Sequence, residues 1–139
     1  MRICAFLILL MISCSGKFVR KEELQKIAAD YTGVYSIKEK IDIGNRDSLN
    51  KGAKIKIYFK TSGEFVSVYA YPYSQSREEA VGKNILQLFQ TDFPNKKFSD
   101  SVFRERLNEL IEETTLSEKE KLAPPPPKPE SSPKTKGKK

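Results

Sequence analysis

Few residues of this chain have the types or spacing that chemistry requires. Histidine is absent, which removes Ser-His-Asp and Cys-His nucleophiles and the commonest zinc ligand. There are two cysteines, Cys4 and Cys14. Cys14 closes the stretch Leu9-Leu10-Met11-Ile12-Ser13 and precedes Ser15-Gly16. A thiol so placed is an acceptor for acyl chains, with chain cleavage just before it. The other candidates are aromatic and basic: Tyr58, Tyr69, Tyr71 and Tyr73, interleaved with Lys54, Lys56 and Lys60. Spread over a sheet face, they would stack sugars or hold an acidic partner; the competing reading packs the tyrosines under helices. Phe89, Phe93, Phe98 and Phe103 read as residues that pin a turn. Asp92 and Asp100 beside it lack calcium-loop spacing, and the acidic run from Glu105 to Glu113 reads as a solvated helix face. No catalytic constellation emerges. An enzyme is not expected, nor a metal or cofactor beyond a covalent lipid on Cys14.

The segment before Cys14 has the parts of an export signal. Met1-Arg2 forms a minimal charged start, and Ile3 to Ile12 is an unbroken apolar run. A permanent membrane span needs about 20 apolar residues, whereas this run has the length of a signal h-region. Met11-Ile12-Ser13-Cys14 is a loose form of the bacterial lipoprotein signal, with Ile12 larger than usual. Two alternatives stay open: an ordinary secretory signal in which Cys14 is incidental, and a retained anchor. Lys17, Arg20 and Lys21 slightly oppose translocation. Two or more acyl chains anchor stably. Because Ser15 is not Asp, the outer membrane is favoured over the inner.

The formal net charge of +7 is uneven. Residues 17–113 carry 17 basic and 15 acidic residues, and residues 114–139 carry 7 and 3. The basic character belongs to the tail, which also holds six of the eight prolines. Nucleic acid is therefore not an expected partner. The tail reads as disordered or polyproline II. It would bind peptidoglycan carboxylates, anionic lipid or an acidic protein surface, or serve only as a solubilising spacer.

The elements that must hold these residues follow from periodicity. Leu24, Ile27, Ala28 and Tyr31 predict a helix over 21–31. Residues 34–43 predict a strand interrupted at Glu39, and 44–51 a loop. Ala53, Ile55, Ile57 and Phe59 alternate with Lys54, Lys56, Tyr58 and Lys60, and Phe65–Tyr73 returns with Val66, Val68 and Ala70 inward. Gly63 is expected at positive φ in the turn between them. Ser76-Arg77-Glu78-Glu79 predicts a capping box opening a helix to Gln90, with Val81, Ile85, Leu88 and Phe89 buried. Ser99 is the expected cap of a last helix, with a Phe98–Phe103 staple and a stripe of Val102, Phe103, Leu107, Leu110 and Ile111.

Two resemblances add to this. Lys51-Gly52-Ala53-Lys54-Ile55-Lys56-Ile57 and Gly63-Glu64-Phe65-Val66-Ser67-Val68 resemble the hairpin of bacterial SH3-like modules, without the upstream Arg-Ser-Gly stretch of those modules. Residues 17–113 resemble small spirochaete lipoproteins associated with type II secretion, through the hairpin Gly52–Tyr71, the segment Leu88-Phe89-Gln90-Thr91-Asp92-Phe93 and the helix Phe103–Leu110. That second resemblance implies an accessory role beside a secretion machine and carries over no catalytic residue.

The expected organisation is a signal peptide (1–13), a lipidated tether (14–20), a globular α+β domain (21–113) and a polar Pro/Lys-rich disordered tail (114–139). Within the domain, a three-strand antiparallel meander carries two packed C-terminal helices. The expected role is a non-enzymatic envelope lipoprotein that binds secretion-machine subunits. The alternative is a cell-wall or surface-ligand binder using the tyrosine face and the basic tail.

Overall fold

The computed structural model describes residues 18–117 and 120–121. The signal segment, Cys14 and the proline-bearing part of the tail lie outside them. Among the described residues the fold is mixed α+β, with α-helices over 21–30 and 100–110 and antiparallel strands.

Helix α1 (Lys21–Asp30) forms where the sequence places it. Its apolar stripe buries Leu24 and Ile27, and Glu22 and Glu23 lie in the first turn, where acidic side chains suit the helix dipole. The Glu23 carboxylate accepts a hydrogen bond from the Arg20 backbone N–H at 3.2 Å. Just before the helix, Val19 is fully buried, and the Phe18 ring meets those of Phe93 and Phe98 at 5.3 and 6.1 Å. Phe18 and Val19, expected in the tether, therefore pack with the folded part.

Strand β1 (Tyr35–Ile37) is followed by β2 (Ile41–Gly44) and β3 (Asp47–Leu49). The single strand expected over 34–43 breaks at Lys38-Glu39-Lys40, the position of the anticipated interruption. The expected loop contains β3, paired to β2 through a two-residue turn in which Asn45 and Arg46 both have positive φ. That geometry matches the twist of a hairpin.

The hairpin of β4 (Lys54–Thr61) and β5 (Phe65–Pro72) agrees with expectation in its faces. Ile55, Ile57, Val66, Val68 and Ala70 are all buried. The turn differs: Gly63 does not have positive φ, whereas Gly52, which leads into β4, has φ +79°. The Gly52 N–H donates to the Ile37 carbonyl at 2.7 Å, tying β1 to the start of β4. Pro72 costs the ladder nothing. Its ring nitrogen faces the β6 side, beyond the point where that strand begins.

The expected helix over 76–90 is not formed. Ser76–Ala80 makes one turn, with the Ala80 N–H bonded to the Ser76 carbonyl at 3.1 Å, and Lys83–Phe89 is strand β6 paired to β5. The edge of β5 takes the segment as a strand, and a β-bulge in it mimics a helical pattern. Val68 opposes Leu86 and Tyr69 opposes Asn84, so Ile85 is the extra residue. The bulge turns Ile85 and Leu88 inward together, three residues apart, which imitates helical spacing. Val81 is 86% exposed and Phe89 45% exposed, so the other half of the expected stripe faces solvent.

Two 3-10 turns, Gln90–Asp92 and Pro94–Lys96, lead to helix α2 (Asp100–Leu110). Ser99 caps it, accepting from the Val102 N–H at 3.5 Å, and the Phe98 and Phe103 rings meet at 5.8 Å as the staple requires. Ile111 is buried, but in strand β7 (Ile111–Glu113) rather than on the helix, because β1 offers it an open edge. The main sheet is thus five-stranded, in the order β6-β5-β4-β1-β7, with β2–β3 as a separate pair. This replaces the expected three-strand meander, and one of the two expected C-terminal helices is instead β6. Both helices lie on the sheet face formed by Ile37, Ile57 and Val68, where Phe59 bridges Tyr31 (5.9 Å) and Phe103 (5.7 Å).

Candidate interaction surface

The opposite face of the sheet carries the candidate residues. Strand alternation puts Lys54, Lys56, Tyr58 and Lys60 of β4 on it, facing Tyr71, Tyr69 and Ser67 of β5. Tyr58, Tyr69 and Tyr71 come together: Tyr58 stacks on Tyr69 at 5.1 Å and 11°, and Tyr71 tilts against Tyr58 at 6.1 Å. Tyr73 does not join them. It sits in the turn after Pro72, past the end of the strand.

This face is less open than its composition suggests. The Arg77 guanidinium lies 3.4 Å from the Tyr58 ring centre. It cannot fit between two rings 5.1 Å apart, so it covers the face of Tyr58 turned away from Tyr69. Gly82 closes on the same ring: a Cβ there would meet the Tyr58 hydroxyl at 2.4 Å. The Lys60 ammonium sits 5.7 Å from the Tyr58 ring centre and 5.1 Å from that of Tyr69. Lys54 is occupied as well, donating to the Glu120 carboxylate at 2.5 Å. That bond comes first among the causes holding the Glu120 carboxyl down to about 2, ahead of hydrogen bonds from the Ser117 side chain and backbone. Ser67 is fully buried, and its Oγ has no partner among the described residues.

No local pattern marks Arg77, Gly82 or Glu120 for this surface. Arg77 and Gly82 fall in the segment expected to be helical, and Glu120 lies in the polar stretch assigned to the tail.

A cleft of about 510 Å³ lies beside the tyrosines rather than on them. It touches Lys56, Ile57, Tyr58 and Phe59 in succession. Consecutive strand residues point to opposite faces, so a cleft reaching all four runs along the strand's edge. Its far wall is α1, through Lys21, Leu24, Gln25 and Ala28, continued by Tyr31 and Thr32-Gly33. The cleft exists because β1 covers only the start of β4, pairing at Lys54 and Ile55, and the chain before it departs toward α1. Burial raises the pKa of the Tyr31 hydroxyl, which donates to Asn108 Oδ1 at 3.1 Å and so points toward α2 rather than into the cleft. Phe93, Phe98 and Phe103 cluster as expected of a pinned turn, joined by Phe18, whereas Phe89 pairs with Phe65 on the outer face at 5.8 Å.

Among the described residues no helix is long and apolar enough to cross a membrane, and no three acidic or sulfur side chains are grouped to hold a metal ion. Compared with protein-family models, with curated proteins and with solved structures, the chain matches none.

Proposed function

We propose that this chain is a membrane-anchored accessory lipoprotein of a bacterial envelope machine, that it works by protein–protein contact, and that type II secretion is the setting. The observation that carries the reading is the burial of Val19 beside a packed Phe18, only four residues after Cys14. Four residues reach at most ~14 Å. An acylated Cys14 would hold the domain against the bilayer, with its orientation restricted. A weak contact made there gains effective concentration in place of intrinsic affinity. The likeness of the Gly52–Val68 hairpin to SH3-like modules belongs to the same reading, with the sheet as a docking scaffold. Outer-membrane placement remains part of it.

Sugar binding on the tyrosine face is the weaker reading, because Arg77 and Tyr69 take both faces of the Tyr58 ring. Metabolic labelling with a fatty acid should mark the wild type and not Cys14→Ala; label persisting on the variant ends the lipid-anchor reading. Capture from detergent-solubilised membranes should recover secretion-machine subunits. Recovery of peptidoglycan fragments instead would favour the cell-wall alternative.

A further inference from the structure

We infer that the uncovered edge of β4 binds an extended segment of a partner protein in which apolar and acidic residues alternate. The inference deepens the accessory role by naming its contact site, and it rests on that role only for its biological setting. Backbone alternation supplies the first argument. The Ser62 N–H donates to the Phe65 carbonyl at 2.9 Å, and register then directs the N–H and C=O of Lys60, Tyr58 and Lys56 toward β5. The backbone groups of Ile57 and Phe59 point the other way. At Ile55 that side is filled by Tyr35; at Ile57 and Phe59 no described strand follows, and the cleft begins. An open strand edge of this kind is a template for strand addition.

The walls specify the occupant. On the helix side the cleft presents Leu24, Ala28 and Tyr31, and on the outer side Lys56, Tyr58 and Tyr71. Side chains of an added strand alternate between those two sides. One set therefore meets an apolar wall, and the other meets an ammonium and tyrosine rings. Lys56 and Lys21 are the charged residues of the lining; no carboxylate belongs to it, and neither lysine has a salt-bridge partner among the described residues. The complementary set on the partner is acidic.

The test is an NMR titration of the full chain in detergent with a short synthetic peptide alternating glutamate and valine. Saturable shifts along the cleft are expected, together with slowed amide exchange at Ile57 and Phe59, the two N–H groups that strand addition would engage. Lys56→Glu should weaken binding about fivefold, the scale of a partly exposed ion pair, and should strengthen binding of the matching lysine–valine peptide. Absence of binding, or binding that leaves the Ile57 and Phe59 amides unprotected, overturns the inference. So does protection that appears without peptide and grows with protein concentration, which would make a second copy the occupant. None of these failures touches the fatty-acid labelling of Cys14, so the two readings fall separately.

Discussion

Lys54 of β4 and Glu120, beyond the last strand, are joined at 2.5 Å across the outer face of the sheet. The contact ties the chain after β7 to the strand that also bounds the cleft. The Ser117 N–H and hydroxyl bond the same carboxylate at 2.9 and 2.7 Å.

This gives a pH prediction. The Glu120 carboxyl is lowered from 4.5 to about 2. A depressed folded-state pKa contributes stability that is fully present above the unfolded value and is lost as pH falls through the folded one. The attachment should hold from neutral pH to about 4.5 and release as pH approaches about 2. Carbon-detected NMR of the Glu120 carboxyl should find its midpoint near the lower value in the wild type. In Lys54→Met it should return toward 4.5. A wild-type midpoint of 4.5 would mean that the pair does not persist in solution.

The two faces of the hairpin should differ in energetic weight. Ile57 is buried, so Ile57→Ala should cost about 2–5 kcal/mol. Lys56→Ala, on the outer face, should cost under about 0.5 kcal/mol. Val81→Ser should be equally mild, because Val81 is 86% exposed. Urea melts of the three variants decide the matter. A large loss at Val81 would revive the helical reading of residues 76–90.

That reading failed for a physical reason. Clean alternation made the β4–β5 hairpin legible, because a two-sided strand with one wet face leaves an unbroken period of two. Ser99 and the Phe98–Phe103 staple made α2 legible through local chemistry. Strand β6 was not legible, because its bulge replaced the strand period with a three-residue spacing. Strands β3 and β7 are each three residues long, and what makes them strands is the partner edge across from them. The tyrosine row was visible as a row. Its cover by Arg77 and Gly82 depends on where a turn lands and has no local signature. The cleft was invisible for a similar reason, since it is a gap left where β1 stops short.

Gly82 offers a direct test of that cover. An added Cβ would lie 2.4 Å from the Tyr58 hydroxyl and 2.6 Å from the ring. Tyr58 cannot swing aside freely, because Tyr69 and Arg77 hold both its faces. Gly82→Ala should therefore cost about 1–3 kcal/mol through overpacking and should change the near-UV circular dichroism of the tyrosines. Gly63→Ala is the matched control, since a Cβ there meets nothing within 4 Å and its φ is not positive. It should be neutral or stabilise by up to about 1 kcal/mol through the unfolded chain. Equal behaviour of the two variants would remove the argument that the 77–82 segment is seated on Tyr58.

One side chain forms ion pairs with both helices. Arg104 Nη2 donates to Asp30 at 2.8 Å, and its Nε donates to Asp100 at 2.6 Å. Asp30 is the last residue of α1, where the helix dipole is negative and a carboxylate is unfavourable. Arg104 offsets that charge while also bonding Asp100 in the first turn of its own helix. Both hydrogen bonds hold its guanidinium pKa above the ordinary value. The side chains are partly exposed, so the Arg104–Asp30 coupling should be small, about 0.5–1 kcal/mol in a double-mutant cycle of Arg104→Ala and Asp30→Asn. It should shrink with added salt. Arg104→Lys should lose most of it, because a single ammonium cannot span both carboxylates as the planar guanidinium does. Asp30→Asn alone should be nearly neutral, since losing the bond is offset by removing a negative charge from the helix end. A coupling of zero at low salt would show that the Arg104–Asp30 pair adds nothing to the packing of Phe59, Tyr31 and Phe103 and the Tyr31–Asn108 hydrogen bond.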